Sequence, residues 1–126
     1  MHQNLNQPGP LRGSRPAEEA TLVSFTLNEY GCFIGSAAIV VFSNHDTAAG
    51  TARNLMKFFA DESCGQCTPC RVGTVKALDL MGAKKWDAPL MKELSQAMMD
   101  ASICGLGQAA PNPVLTVLKY FPKEVE

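Results

Sequence analysis

From residue 46 onward, the apolar positions of the chain recur with a helical period. Ala48, Ala52, Leu55, Met56 and Phe59 share one face of a first helix, and Asp46 or Thr47 stands where a cap is needed. A second helix is predicted to open near Arg71, carry Val75, Leu78 and Met81, and stop around Gly82. A third follows Asp87, with Pro89 in its first turn and Leu90, Leu94, Ala97, Met98 and Ala101 along its apolar face. Asn112-Pro113 opens a fourth, which turns Val114, Val117, Leu118 and Phe121 inward. Four short helices joined by short links predict a four-helix bundle over residues 46–126.

Upstream the pattern changes. Residues 22–27 and 36–42 read as two short strands around the turn signal Asn28-Glu29-Tyr30-Gly31. Two strands alone bury too little to be stable, so residues 21–45 are expected to lean on the helices or on another chain. Residues 1–20 are rich in Pro, Gly, Asn and Gln with almost no large apolar side chain, which predicts a disordered tail. The expected fold class is therefore mostly α: a C-terminal four-helix bundle preceded by a short β-strand pair and a disordered N-terminal tail.

Charge and hydropathy remove several function classes. The 11 basic and 12 acidic residues nearly cancel, to a net charge of −1, and form no stripe, so no nucleic-acid partner is expected. The longest strongly apolar run, residues 37–42, is far too short to span a bilayer, and no membrane insertion is expected. Arg12 and Arg15 are not followed by an apolar core, so no signal peptide is read and the expected location is cytoplasmic.

The chemistry lies in the cysteines. Three stand within seven residues, Cys64-Gly-Gln-Cys67-Thr-Pro-Cys70, and Cys104 comes one helical hairpin later in Ser102-Ile103-Cys104-Gly105-Leu106-Gly107. A [4Fe–4S] cube presents four irons at tetrahedral corners, each suited by one thiolate. Two-residue gaps let one loop reach neighbouring corners, and a distant cysteine closes the last. Gly65 permits the loop to curl, Pro69 stiffens it, and Arg71 with a helix N-terminus after Cys70 is placed to offset a cluster's negative charge. In an antiparallel bundle the two cysteine segments can meet at one end. A zinc site remains an alternative, although four-cysteine zinc sites usually pair two C-x2-C motifs, not three cysteines plus one. Two-cluster ferredoxins need a fourth cysteine three residues on, where this chain has Arg71-Val72-Gly73-Thr74. A thioredoxin-like pair needs a strand before the motif, and here a helix precedes it. The fifth cysteine, Cys32, reads as a small buried apolar residue.

The stretches Glu62-Ser63-Cys64-Gly65-Gln66-Cys67-Thr68-Pro69-Cys70-Arg71-Val72-Gly73-Thr74 and Ser102-Ile103-Cys104-Gly105-Leu106-Gly107 closely resemble one family, the NADH- and FMN-binding subunits of respiratory complex I and their soluble relatives. The following Gly107-Gln108-Ala109-Ala110-Pro111-Asn112-Pro113 looks more like the diaphorase (β) subunits of NAD-dependent formate dehydrogenases and of hydrogenases. The resemblance covers about residues 21–121. It implies that Cys64, Cys67, Cys70 and Cys104 bind one [4Fe–4S] cluster, and that residues 21–45 are the remnant of a ubiquitin-like insert before the cluster domain of residues 46–126. It also implies a relay of single electrons between FMN and the iron–sulfur clusters of partner subunits in an NAD-linked oxidoreductase. The family's FMN- and NADH-binding region has no counterpart here. The resemblance thus transfers cluster ligands only, and implies a fragment, split subunit or truncated remnant that is not catalytic alone.

Overall fold

A computed structural model describes residues 38–126. The chain divides into two units at residue 46, and the second, residues 46–126, is compact. The second unit contains α1 (Ala48–Glu62), α2 (Thr68–Leu80), α3 (Ala88–Ala101), α4 (Gly105–Ala109), α5 (Asn112–Tyr120) and a closing 3-10 turn (Pro122–Glu124). The mostly helical expectation is met. The first predicted strand lies outside the described residues. Of the second, residues 38–42 are described and form no strand, and Ile39, Val40, Val41 and Phe42 are all exposed. The 1–20 tail is also outside the described residues.

Local chemistry sets the helix starts. The Thr47 hydroxyl accepts from the Gly50 amide at 3.1 Å and caps α1. A second acceptor comes from far along the chain: Glu124 Oε2 takes the Ala49 amide at 2.9 Å, tying the closing turn to the start of α1. Asp87 Oδ1 accepts from the Leu90 amide at 3.1 Å, with Pro89 in the first turn of α3. Two glycines within three residues depress helix propensity and predict a loop where α4 stands. The helix forms there because tertiary packing outweighs that cost, with α4 seated against both α2 and α3.

The core joins all the long helices. Ala52 and Met56 of α1, Ala77 and Met81 beside α2, Met91 and Met98 of α3, and Val114 and Val117 of α5 are buried together, with Trp86 and Val125 closing one side. The Trp86 amide donates to the Val125 carbonyl at 2.8 Å, anchoring the C-terminal segment. Two apolar faces are rotated from the sequence reading. On α2, Val72 and Val75 are 53% and 52% exposed, and Cys70, Gly73, Thr74 and Ala77 face inward. On α3 the buried side chains are Met91, Ser95 and Met98, while Leu90 is exposed. Leu55 of α1 is likewise exposed. Small side chains on α2 allow the close approach: a Cβ on Gly73 would stand 2.6 Å from Met98 Cγ, so the methionine fills the place of a missing side chain.

Met56 is fully buried and Met99 is 37% exposed. Met56→Ala is therefore expected to destabilise the fold by about 2–5 kcal/mol and Met99→Ala by less than about 1 kcal/mol, read from denaturant midpoints of the full chain.

Candidate metal centre

Cys64, Cys67, Cys70 and Cys104 line one cavity of about 130 Å³, together with Glu62, Ser63, Gln66 and Leu106. Two segments far apart in sequence thus meet at one end of the bundle. Cys64 is in the loop after α1, Cys67 is the N-cap of α2, Cys70 is in the first turn of α2, and Cys104 is the N-cap of α4. Cys70 is buried, Cys67 half-buried, and Cys64 and Cys104 exposed, and all four are free thiols. α2 starts before Cys70 and not after it as the sequence suggests, because Pro69 suits the first turn of a helix, where its missing amide costs nothing. Cys32 lies outside the described residues.

The loop is held by named contacts. Gly65 sits at φ +75°, a left-handed conformation that other residues adopt only with strain. Arg71 reaches back so that Nη1 donates to the Gly65 carbonyl at 2.6 Å and Nη2 to Thr68 Oγ1 at 3.4 Å. The guanidinium therefore clamps the cysteine loop as well as adding a positive charge beside it. Thr74 Oγ1 donates to the Cys70 carbonyl at 2.8 Å in the buried interior. The Ser63 hydroxyl lies 3.2 Å from Cys70 Sγ and accepts from the Gly65 amide at 3.3 Å.

The second segment is placed by a glycine. A Cβ at Gly107 would stand 2.6 Å from Ser102 Cβ and 2.8 Å from Cys70 Cβ, so only a bare backbone lets α4 pass over α2 there. Gly105 has open space on the same test, so the two glycines of this motif have different duties. Gln108 Nε2 donates to the Ser102 carbonyl at 3.0 Å and closes the turn. Ser102 itself is buried, and its hydroxyl makes no hydrogen bond of ordinary geometry.

The amides favour negative charge on sulfur. The Ile103 backbone amide foremost, then that of Cys70, holds the Cys67 pKa below its ordinary value, against a smaller opposing effect of burial. The Cys67 amide and the Ser102 hydroxyl add lesser contributions in the same direction. The Cys67 sulfur makes no capping hydrogen bond of ordinary geometry, and the shift reflects several donors near it. Such donors suit a thiolate, and hence a ligand to a cationic centre. Among the described residues, no three His, Cys, Asp or Glu side chains converge on a point fit for one ion. Sequence reasoning found the four cysteines, Gly65 and Arg71, but it missed Ser63, Ser102 and the duty of Gly107. Ser63 adjoins Cys64 in sequence yet meets Cys70 in space, so sequence adjacency points to the wrong partner.

A larger hollow of about 660 Å³ lies elsewhere, between the start of α3 and the C-terminal segment, lined by Lys85, Trp86, Lys92, Leu118 and Val125 among others. It contains no thiol or imidazole. Among the described residues, no helix is long and apolar enough to cross a membrane.

Comparison with known proteins agrees with this geometry. The model of the NADH-ubiquinone oxidoreductase-F iron-sulfur binding region matches residues 50–126. The chain is 34% identical over 99 residues to the NADP-reducing hydrogenase subunit HndC of Solidesulfovibrio fructosivorans, a match covering 74% of this chain and 20% of that protein. It is 33% identical over 106 residues to the mitochondrial NADH dehydrogenase (ubiquinone) flavoprotein 1 of Dictyostelium discoideum, covering 79% of this chain and 22% of the relative. A solved structure of an NAD+-reducing [NiFe]-hydrogenase in the H2-reduced state matches with a TM-score of 0.62 at 32% identity, over 68% of this chain and 17% of that one. The chain thus spans less than a quarter of the length of each of these relatives. With the family model matched across the helical unit, the chain belongs to the NADH-ubiquinone oxidoreductase-F iron-sulfur binding region family.

Proposed function

We propose that Cys64, Cys67, Cys70 and Cys104 hold one [4Fe–4S] cluster, and that the chain serves as an electron-relay domain of an NAD-linked oxidoreductase. When bound, the cluster supplies one-electron uptake and release. The observation that carries this reading is the meeting of the C-x2-C-x2-C loop and Cys104 in one cavity at one end of the bundle. The chain's own residues do the rest. Thiolates neutralise the irons, the Ile103 and Cys70 amides favour the anionic form of the Cys67 sulfur, and Arg71 fixes the loop. Buried Cys70 and Thr74 anchor the inner wall, and the exposed Cys64 and Cys104 form the outer rim.

The partners proposed are subunits that carry further iron–sulfur clusters, with FMN and NAD held outside this domain. Residues 46–126 would be the cluster domain, and residues 21–45 the remnant of a ubiquitin-like segment. The finer assignment to the formate dehydrogenase branch is supported by the resemblance of residues 107–113. A structural zinc module is the competing reading. Tetrahedral zinc–thiolate bonds need sulfurs about 3.8 Å apart around one point, given a zinc–sulfur length of about 2.3 Å. Four-cysteine zinc sites usually pair two C-x2-C motifs, and the split of three cysteines plus one in this chain favours the cube, with one iron per thiolate.

Anaerobic loading with iron and sulfide should give a brown protein whose visible absorbance bleaches with dithionite. A colourless protein that takes up stoichiometric zinc under the same treatment would overturn the reading. Replacing Cys64, Cys67, Cys70 or Cys104 by Ser should abolish or severely lower iron content, whereas Cys32→Ser should retain it. Gly107→Ala should destabilise the fold by about 1–3 kcal/mol and lower cluster loading, because the added methyl meets two Cβ atoms that cannot swing aside. Gly105→Ala should load normally. Ile103→Pro removes the amide that contributes most to lowering the Cys67 pKa. The pKa should then rise, and the pH range over which the cluster assembles should contract from its acidic side.

A further inference from the structure

The cysteines account for the ligands but leave two serines unexplained. Ser63 lines the cysteine cavity, and its oxygen is 3.2 Å from Cys70 Sγ. The same oxygen accepts the Gly65 amide at 3.3 Å, within the turn that the positive φ of Gly65 creates. With that amide as its donor, and with a ligating sulfur that carries no proton, only the Ser63 O–H can supply the hydrogen between Ser63 and Cys70. The polarity of this contact is therefore determined by the loop. Ser102 reaches the site from the other segment. It is 5% exposed, its hydroxyl has no protein partner of ordinary geometry, and it borders the gap at Gly107 together with Cys70. A buried hydroxyl left without an acceptor is costly, and the Cys70 side chain stands beside the same gap.

Resting on the cluster reading above, we propose that the Ser63 and Ser102 hydroxyls donate hydrogen bonds to sulfur at the cluster, Ser63 to Cys70 and Ser102 from the gap at Gly107, and so raise its reduction potential. The physical reason is charge. One-electron reduction places more negative charge on the sulfurs, and a hydrogen bond to a more anionic acceptor is stronger. The donors stabilise the reduced form more than the oxidised form. Both serines are positioning residues, acting through the thiolates and not as ligands.

The test uses the full chain loaded anaerobically with iron and sulfide, with iron content, midpoint potential and the hyperfine coupling of exchangeable protons as readouts. Ser63→Ala and Ser102→Ala should each keep the iron and shift the potential downward. At a fixed ambient potential, the reduced-to-oxidised ratio should fall by at least about threefold in each variant. Ser63→Thr keeps the hydroxyl and should restore the wild-type potential, which a merely structural role for Ser63 would not require. Coupling to exchangeable protons should weaken in both alanine variants after comparison in heavy water. Unchanged potentials in iron-replete variants would overturn the proposal. Should Ser102→Ala fail to fold, the Ser63→Ala and Ser63→Thr pair decides the Ser63 donor, and Ser102→Cys, of similar size but a weaker donor, decides the Ser102 donor: a lowered potential at retained iron supports it and an unchanged one overturns it. A wild-type chain that takes up no cluster at all would instead refute the cluster reading itself.

Discussion

The close passage of α4 over α2 at Gly107 is the contact on which the site depends. Cys70 Cβ and Ser102 Cβ occupy the space that any side chain at residue 107 would need. Without that passage, Cys104 would stay at the end of α3, and the three-cysteine loop would lack its fourth thiol. Protein interiors are packed too densely to absorb an extra methyl at such a point without moving an element. The same economy operates one turn further along α2, where Gly73 admits Met98 of α3. Two glycines on two helices thus set how near α2, α3 and α4 come, and that distance sets whether two cysteine segments share a cavity.

Around this constraint the polar groups have a consistent direction. The Ile103 and Cys70 amides act on Cys67, and the Ser63 hydroxyl sits against Cys70. Arg71 adds a positive charge at the rim and closes the loop through the Gly65 carbonyl. Each of these groups favours negative charge on sulfur, which a set of structural, apolar cysteines would not need. The arrangement is what a thiolate-rich centre requires, and it is consistent with membership of an iron–sulfur binding family.

The exposed apolar side chains give the fold a second character. Val72 and Val75 on α2, Leu55 and Phe58 on α1, and Ile103 beside the cysteines are all open to solvent. Helical periodicity assigned Leu55 and Val75 to the core because it counts apolar residues and cannot see which face small residues leave free. On α2 the inward face is built from Gly73, Thr74 and Ala77, which carry little hydrophobic signal but permit close approach. Period alone therefore located the helices better than it located their faces.

The sequence by itself determined the helical class, the cap at Asp87, the left-handed need at Gly65, and the identity of the four thiols. All of these follow from local spacing and from the conformational limits of single residues, which act within a few positions along the chain. Only the tertiary structure decided that residues 105–109 would be helical, that α2 would turn its small face inward, and that the Ser63 hydroxyl would stand against Cys70 Sγ. Those outcomes depend on which elements meet and how closely. That is a matter of packing across the bundle, and no periodicity along one helix encodes it.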